Sequence, residues 1–236
     1  MTTQQPNPRP TIMVVGPHPD DAEVVAGATI ARFVDKGSKV ILVVCTNGDK
    51  GTEDPKMTSP RLAEIREREQ KEAAKALGVH HLVMLGFPDQ GLFETDEFRE
   101  KVVRAIRQYK PDFVFTIDPN RPYINHPDHR ACGRVTLDAV YPMARDTLPY
   151  PQHLREGLTP HKVRHVYLWG TDNGDSYFDV SDYLDVKFKA LFCHRSQFGE
   201  QVDESRMAQR TKRYEELGQR IGVRYAEGFK HIELQR

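Results

Sequence analysis

Two short segments concentrate the groups that could do chemistry in this 236-residue chain: Pro17-His18-Pro19-Asp20-Asp21 and His126-Pro127-Asp128-His129. Imidazole and carboxylate are ligands that zinc takes in catalytic sites, where about three protein donors leave one position open. Prolines stiffen both segments, so each could present its side chains in a fixed direction. Together they offer more donors than one metal needs, which frees others for proton transfer. The competing reading is structural: Asp20 or Asp21 could cap a following helix by accepting its first free N–H groups. Capping alone does not require His and Asp in two separate clusters, so a shared cation site is favoured.

A run of alternating strands and helices must position these groups. Residues 11–16 form a short apolar, β-branched run, followed by the first segment and a helical pattern over 22–36. Strand-like runs recur at 39–45, 81–86, 112–117 and 162–170. Helical patterns cover 60–77, 96–109, 127–145, 181–194 and 202–221. The alternation predicts an α/β fold, a single-domain Rossmann-like, mostly parallel sheet flanked by helices over 11–236, preceded by a loose tail at 1–10. In such a sheet, ligands bind beyond the carboxyl ends of the strands, where strand order reverses. Both segments fall just there. A dinucleotide binder would place G-x-G-x-x-G in the first turn, whereas two aspartates would repel a pyrophosphate. Residues 142–161, with four prolines, read as a surface loop that either lines a site or simply connects.

Bulk composition excludes several classes. Lys+Arg and Asp+Glu both number 34, so no long-range field exists to gather nucleic acid or an anionic membrane surface. No apolar run approaches the roughly 20 residues of a membrane span, and no basic-then-apolar leader opens the chain. Cys45, Cys132 and Cys193 are odd in number and show no C-x-x-C spacing, which argues against a disulfide framework or a thiolate zinc cluster and suits a reducing cytoplasm.

Further landmarks appear in a fixed order: Thr46-Asn47-Gly48-Asp49-Lys50-Gly51, a helix with Arg66 and Glu69 ending at Leu77-Gly78-Val79, and Phe87-Pro88-Asp89. Asp118-Pro119-Asn120, His194-Arg195-Ser196-Gln197, Gly222-Val223-Arg224-Tyr225 and Glu227-Gly228-Phe229 follow. With the two segments, they resemble the PIG-L/LmbE family of zinc de-N-acetylases over nearly the whole chain, and most of all the branch acting on chitin-derived amino sugars. The resemblance implies a Zn2+ held by His18, Asp21 and His129, with Asp20 as general base. It implies that His126 stabilises the oxyanion and protonates the leaving amine, with Asp128 orienting it. Arg66, Asp89, Tyr123 and His194 would contact an N-acetylated sugar, and the chain would form a homo-oligomer. Departures are Pro17 and Ala22 at the flanks of the first segment, Glu23 one place late, and one extra residue between Tyr123 and His126. The expected reaction is hydrolysis of the N-acetyl amide of an N-acetylglucosamine-type substrate. Rival readings are an amidase of thiol conjugates, a non-catalytic sugar- or nucleotide-binding module, and a metal-dependent phosphoesterase. By default Arg66 is a solvated charge or a partner of Glu69 or Gln70, and residues 48–51 are a tight turn bordering the pocket.

Overall fold

Uninterrupted apolar, β-branched runs build the centre of the sheet. β1 (Ile12–Gly16) and β2 (Val40–Thr46) are buried at every residue, as strands covered on both faces must be. The fold is that of a computed structural model, which describes residues 9–199 and 204–234. Residues 1–8 of the expected tail lie outside the described residues. Around the central pair lie β3 (His81–Phe87), β4 (Phe113–Ile117), β5 (His165–Trp169), β6 (Ser176–Asp179) and β7 (Ala226–Glu233). They form one seven-stranded sheet in the order β3-β2-β1-β4-β5-β7-β6. β1 pairs in parallel with β2 and with β4, so strand order reverses between β1 and β4. That reversal opens a crevice at the carboxyl ends of those two strands.

Helices α1 (Asp21–Asp35), α2 (Ser59–Leu77), α3 (Asp96–Tyr109) and α4 (Pro127–Asp138) follow the first four strands. The later helices are α5 (Gln152–Arg155), α6 (Leu184–Leu191), α7 (Arg195–Phe198) and α8 (Glu204–Gln219). The single α/β domain expected from the alternation is the one observed. Three local differences have physical causes. The helix expected over 127–145 ends at Asp138 and passes into a π-helical turn, Ala139–Met143. Pro142 has no N–H to donate, and the residue before it is extended, with Tyr141 at φ −149° and ψ 122°. β6 and β7 add two antiparallel strands that the apolar-run pattern does not show. They are held by an aromatic cluster, with the fully buried Phe229 ring 5.1 Å from Phe115 and 5.6 Å from Phe178. The loop 142–161 packs on α3 instead of the crevice: buried Arg107 donates to the carbonyls of Met143 at 3.0 Å and Asp146 at 2.7 Å.

A buried ion pair ties α1 to α6 and β7. Lys187 Nζ donates to Glu227 and to the Val24 carbonyl at 2.9 Å, while Glu227 accepts from the Thr29 N–H at 2.8 Å. The pair thus inserts into the backbone ladder of α1. The Cys45 and Cys132 thiols are free and buried, with sulfurs 3.8 Å apart, in keeping with a packing role for Cys45.

Candidate metal centre and active site

β1 delivers the chain into the crevice at Gly16, and Asp20 occupies the N-cap position of α1. Its side chain makes no capping bond, so the capping reading does not describe it. Asp20 sits at φ 103°, a region that costs a non-glycine residue about 1–3 kcal/mol unless its surroundings hold it there. Two residues of α2 do the holding: the Asp20 N–H donates to Gln70 Oε1 at 3.1 Å, and Arg66 Nη2 donates to the Asp20 carboxylate at 3.0 Å. Arg66 is 3% exposed and also donates to the carbonyls of Pro19 and Gly48. It is therefore no solvated charge. The turn at Gly48 is shaped around it, since a Cβ there would lie 2.7 Å from the guanidinium.

The second segment opens α4. Pro127 takes the first-turn position, where its missing N–H leaves nothing unpaired. His126 is the N-cap, its Nδ1 accepting from the Asp128 N–H at 3.2 Å. Gly133, one turn past His129, lets α4 lie against the end of β4: a Cβ there would meet the Ile117 carbonyl oxygen at 2.6 Å. Asp128 is fully buried and accepts from the N–H groups of Gln90 at 2.7 Å and Leu92 at 3.2 Å. Those bonds tie in the loop after β3, which carries Asp89.

The segments converge on His18. Its ring centroid is 5.2 Å from that of His129 and 4.6 Å from that of His126. Asp21 Oδ2 lies 3.1 Å from His18 Nδ1 and 3.5 Å from His129 Nε2. On its other side, His18 Nε2 is 3.1 Å from Asp89 Oδ1 and 3.2 Å from Asp128 Oδ2, and His126 Nε2 is 3.9 Å from Asp89 Oδ1. Among the described residues two overlapping groups could hold a metal ion: His18, Asp21 and His129, and His18, Asp89, His126 and Asp128. The donors in both are the imidazoles and carboxylates that suit zinc. Asp89 Oδ1 is buried and faces the His18 and His126 imidazoles, which also fits a site made for a cation.

Electrostatics agree. Burial alone would lower the His18 pKa, but Asp128, Asp21 and Asp89 outweigh it and hold the ring at about 12, so the cluster favours positive charge. Burial draws His129 down toward the neutral form that a ligand needs. Burial would raise Asp21, yet its bond to His18 keeps it below the ordinary carboxylate value. Asp20 differs: burial and then the Asp21 charge raise it to about 7.

Five of the six His and Asp side chains of the two segments thus meet, Asp89 joins them, and Asp20 is turned toward Arg66. Two expected sugar contacts differ in exposure. His194 is fully buried, with Nε2 3.6 Å from Glu23 Oε2, so it lines no surface that a sugar could reach. Tyr123 is 96% exposed to solvent. Residues not singled out from the sequence also matter. Gln70, which holds Asp20, donates in turn to buried Glu23 at 2.8 Å. The available signal was helical spacing: Leu62, Arg66, Glu69, Gln70, Ala73 and Leu77 share the buried face of α2, and three of them are polar.

A doubly wound sheet whose switch point carries a cluster of metal-type donors and a separate, partly buried carboxylate defines a hydrolase-like α/β enzyme with a candidate metal centre. The PIG-L family of GlcNAc-PI de-N-acetylases matches residues 13–140, which include both segments. The chain belongs to this family, and so to enzymes that hydrolyse N-acetyl amides. It is 35% identical to the diacetylchitobiose deacetylase of Thermococcus kodakarensis over 94% of this chain and 82% of that protein. It is 34% identical to a probable N-acetyl-alpha-D-glucosaminyl L-malate deacetylase 2 of Bacillus cereus, over 79% of this chain and 83% of that one. The solved N,N'-diacetylchitobiose deacetylase from Pyrococcus horikoshii, in complex with an inhibitor, matches with a TM-score of 0.89 at 33% identity, over 98% of this chain and 88% of that one.

Proposed function

We propose that this protein removes the acetyl group from an N-acetylglucosamine-type sugar, releasing acetate and the free amine, at a zinc ion held by His18, Asp21 and His129. The observation that carries the reading is the division of labour within the aspartate doublet. Asp21 faces two imidazoles, while Asp20 is turned toward Arg66. When bound, zinc supplies Lewis acidity that polarises an amide carbonyl and lowers the pKa of water to about 7. Asp20, raised toward neutrality and kept apart from the donor trio, accepts the proton of the attacking water. The His126 side chain, 38% exposed at the crevice, stabilises the developing oxyanion and passes a proton to the leaving amine. Asp128 positions both histidines, His126 through its backbone N–H and His18 through its carboxylate. Arg66 acts through Asp20, and Asp89, beside His126, is the expected sugar contact of the reading. His194 supports α1 from within through Glu23, not as a substrate contact.

Acetate release from a panel of N-acetylated sugars, monosaccharide through short oligosaccharide, tests this. Release should stop with chelator and return with zinc; release from no member, or release indifferent to chelator, would overturn the reading. Cleavage of a thiol conjugate in place of acetate release would move the substrate assignment. The reading extends to a homo-oligomer, as the family resemblance implies, in a reducing cytoplasm that suits the free, buried Cys45 and Cys132. No helix of the described residues is long and apolar enough to cross a membrane. Sedimentation should show a discrete species heavier than the 27.1 kDa chain, and a monomer would remove that part of the proposal.

A further inference from the structure

The segment His194-Arg195-Ser196-Gln197, which opens α7, is far from Asp20 in sequence, yet three of its four side chains reach the groups that hold that carboxylate. The Ser196 N–H donates to Glu69 Oε1 at 2.9 Å and its hydroxyl to Oε2 at 2.6 Å, so both oxygens of this buried carboxylate are engaged. Glu69 immediately precedes Gln70, whose Oε1 accepts the Asp20 N–H. Gln197 Nε2 donates to the Gly51 carbonyl at 2.9 Å. Gly51 belongs to the turn that walls in Arg66: a Cβ there would lie 2.9 Å from the guanidinium. His194, fully buried, faces Glu23 at 3.6 Å, and Glu23 accepts from Gln70 Nε2 at 2.8 Å. Arg195 alone turns outward, its side chain 58% exposed beside Glu72.

We propose that His194, Ser196 and Gln197 are positioning residues for Asp20, their segment clamping α2 and the 48–51 turn so that Gln70 and Arg66 hold the carboxylate in place. The inference rests on the deacetylase reading for the role of Asp20 as base, whereas the clamp rests on the contacts just given. The need for it lies in the backbone. A non-glycine residue at φ 103° carries about 1–3 kcal/mol of strain and relaxes unless its surroundings hold it. Both holders of Asp20 sit on α2 about one turn apart, so a slide or roll of that helix would move them together. The Ser196 bonds fix α2 at the residue beside Gln70, and Gln197 fixes the turn around Arg66. Simple docking of α7 would not require each of these contacts to end on a support of Asp20.

The test compares Ser196→Ala/Gln197→Ala with Ser196→Thr and Arg195→Ala, each zinc-loaded and checked for folding by thermal melting. In the double variant, kcat for acetate release should fall by about 10- to 100-fold with KM little changed, since a base displaced by an ångström is costly while sugar contacts stay intact. Ser196→Thr keeps the hydroxyl and should retain most of the activity. Arg195→Ala should match the unaltered protein, because its exposed side chain reaches Glu72, which holds no part of Asp20. A readout without turnover is hydrogen exchange at the Asp20 amide, followed by NMR. Exchange should quicken by about tenfold or more in the double variant, as the bond to Gln70 loosens, and stay unchanged in the other two. Should the double variant melt early, Gln197→Ala alone carries the same two readouts. Unchanged exchange at Asp20, an effect confined to KM, or an equal loss of kcat in Arg195→Ala overturns the clamp. If the unaltered protein releases acetate from no sugar, the deacetylase reading fails, and exchange at Asp20 by itself decides the clamp.

Discussion

Asp20 and Asp21 are neighbours in sequence with opposite surroundings. Asp21 lies among imidazoles, whereas a backbone at φ 103° swings Asp20 onto Arg66 and Gln70. Replacing Asp20 with Asn keeps the shape and removes the proposed base; kcat should fall by about 10²–10⁴-fold while metal content stays near one per chain. Retained activity, or loss of the metal, would show that Asp20 is not a free base. Arg66→Lys keeps a charge but loses the fork that spans Pro19, Gly48 and Asp20. It should lower kcat by up to about 100-fold with KM little moved, because a base misplaced by an ångström is costly and a sugar contact is not what has been lost. A change confined to KM would return Arg66 to the substrate. At this scale, the ligand-type residues were legible from type and spacing. The burial of His194 and the exposure of Tyr123 were not, because burial depends on which elements later close over a residue.

Among the elements, the least expected feature is the Lys187–Glu227 pair, fully buried where α1, α6 and β7 meet. Lys187→Met would strand a buried carboxylate, and should cost about 3–5 kcal/mol in urea unfolding. A loss below about 1 kcal/mol would mean that the pair is solvated in solution. Burial pulls the Lys187 pKa down, but Glu227 outweighs it and holds the ammonium above its ordinary 10.5. Because the folded value is the higher one, the pair's stabilisation is complete below pH 10.5 and is lost as pH rises through the folded value. Alkaline unfolding should therefore shift to higher pH in a Lys187→Met/Glu227→Met double variant, if that variant packs well. The parallel strands were legible because burial on both faces leaves continuous apolar runs, as in Val40–Thr46. β7 was hidden: Ala226–Glu233 mixes charges with Gly228, and its partner β6 has only four residues. Their aromatic docking is a long-range fact that no local window contains.

For the whole molecule, the topology explains why two segments more than a hundred residues apart act as one site. β1 and β4 are sheet neighbours at the strand-order reversal, so the loops leaving them face each other across one crevice. Such folds carry many chemistries, and the reaction belongs to the side chains at that edge. In the proposed site, His18, Asp21 and His129 grip a single zinc ion with Asp20 beside it and unbound. Anomalous diffraction at the zinc edge from crystals of the zinc-loaded protein tests it most directly. One peak is expected, about 2.0–2.2 Å from a nitrogen of His18, an oxygen of Asp21 and a nitrogen of His129, with the Asp20 carboxylate outside that distance. A peak centred instead among Asp89, His126 and Asp128, or within bonding distance of Asp20, would contradict it.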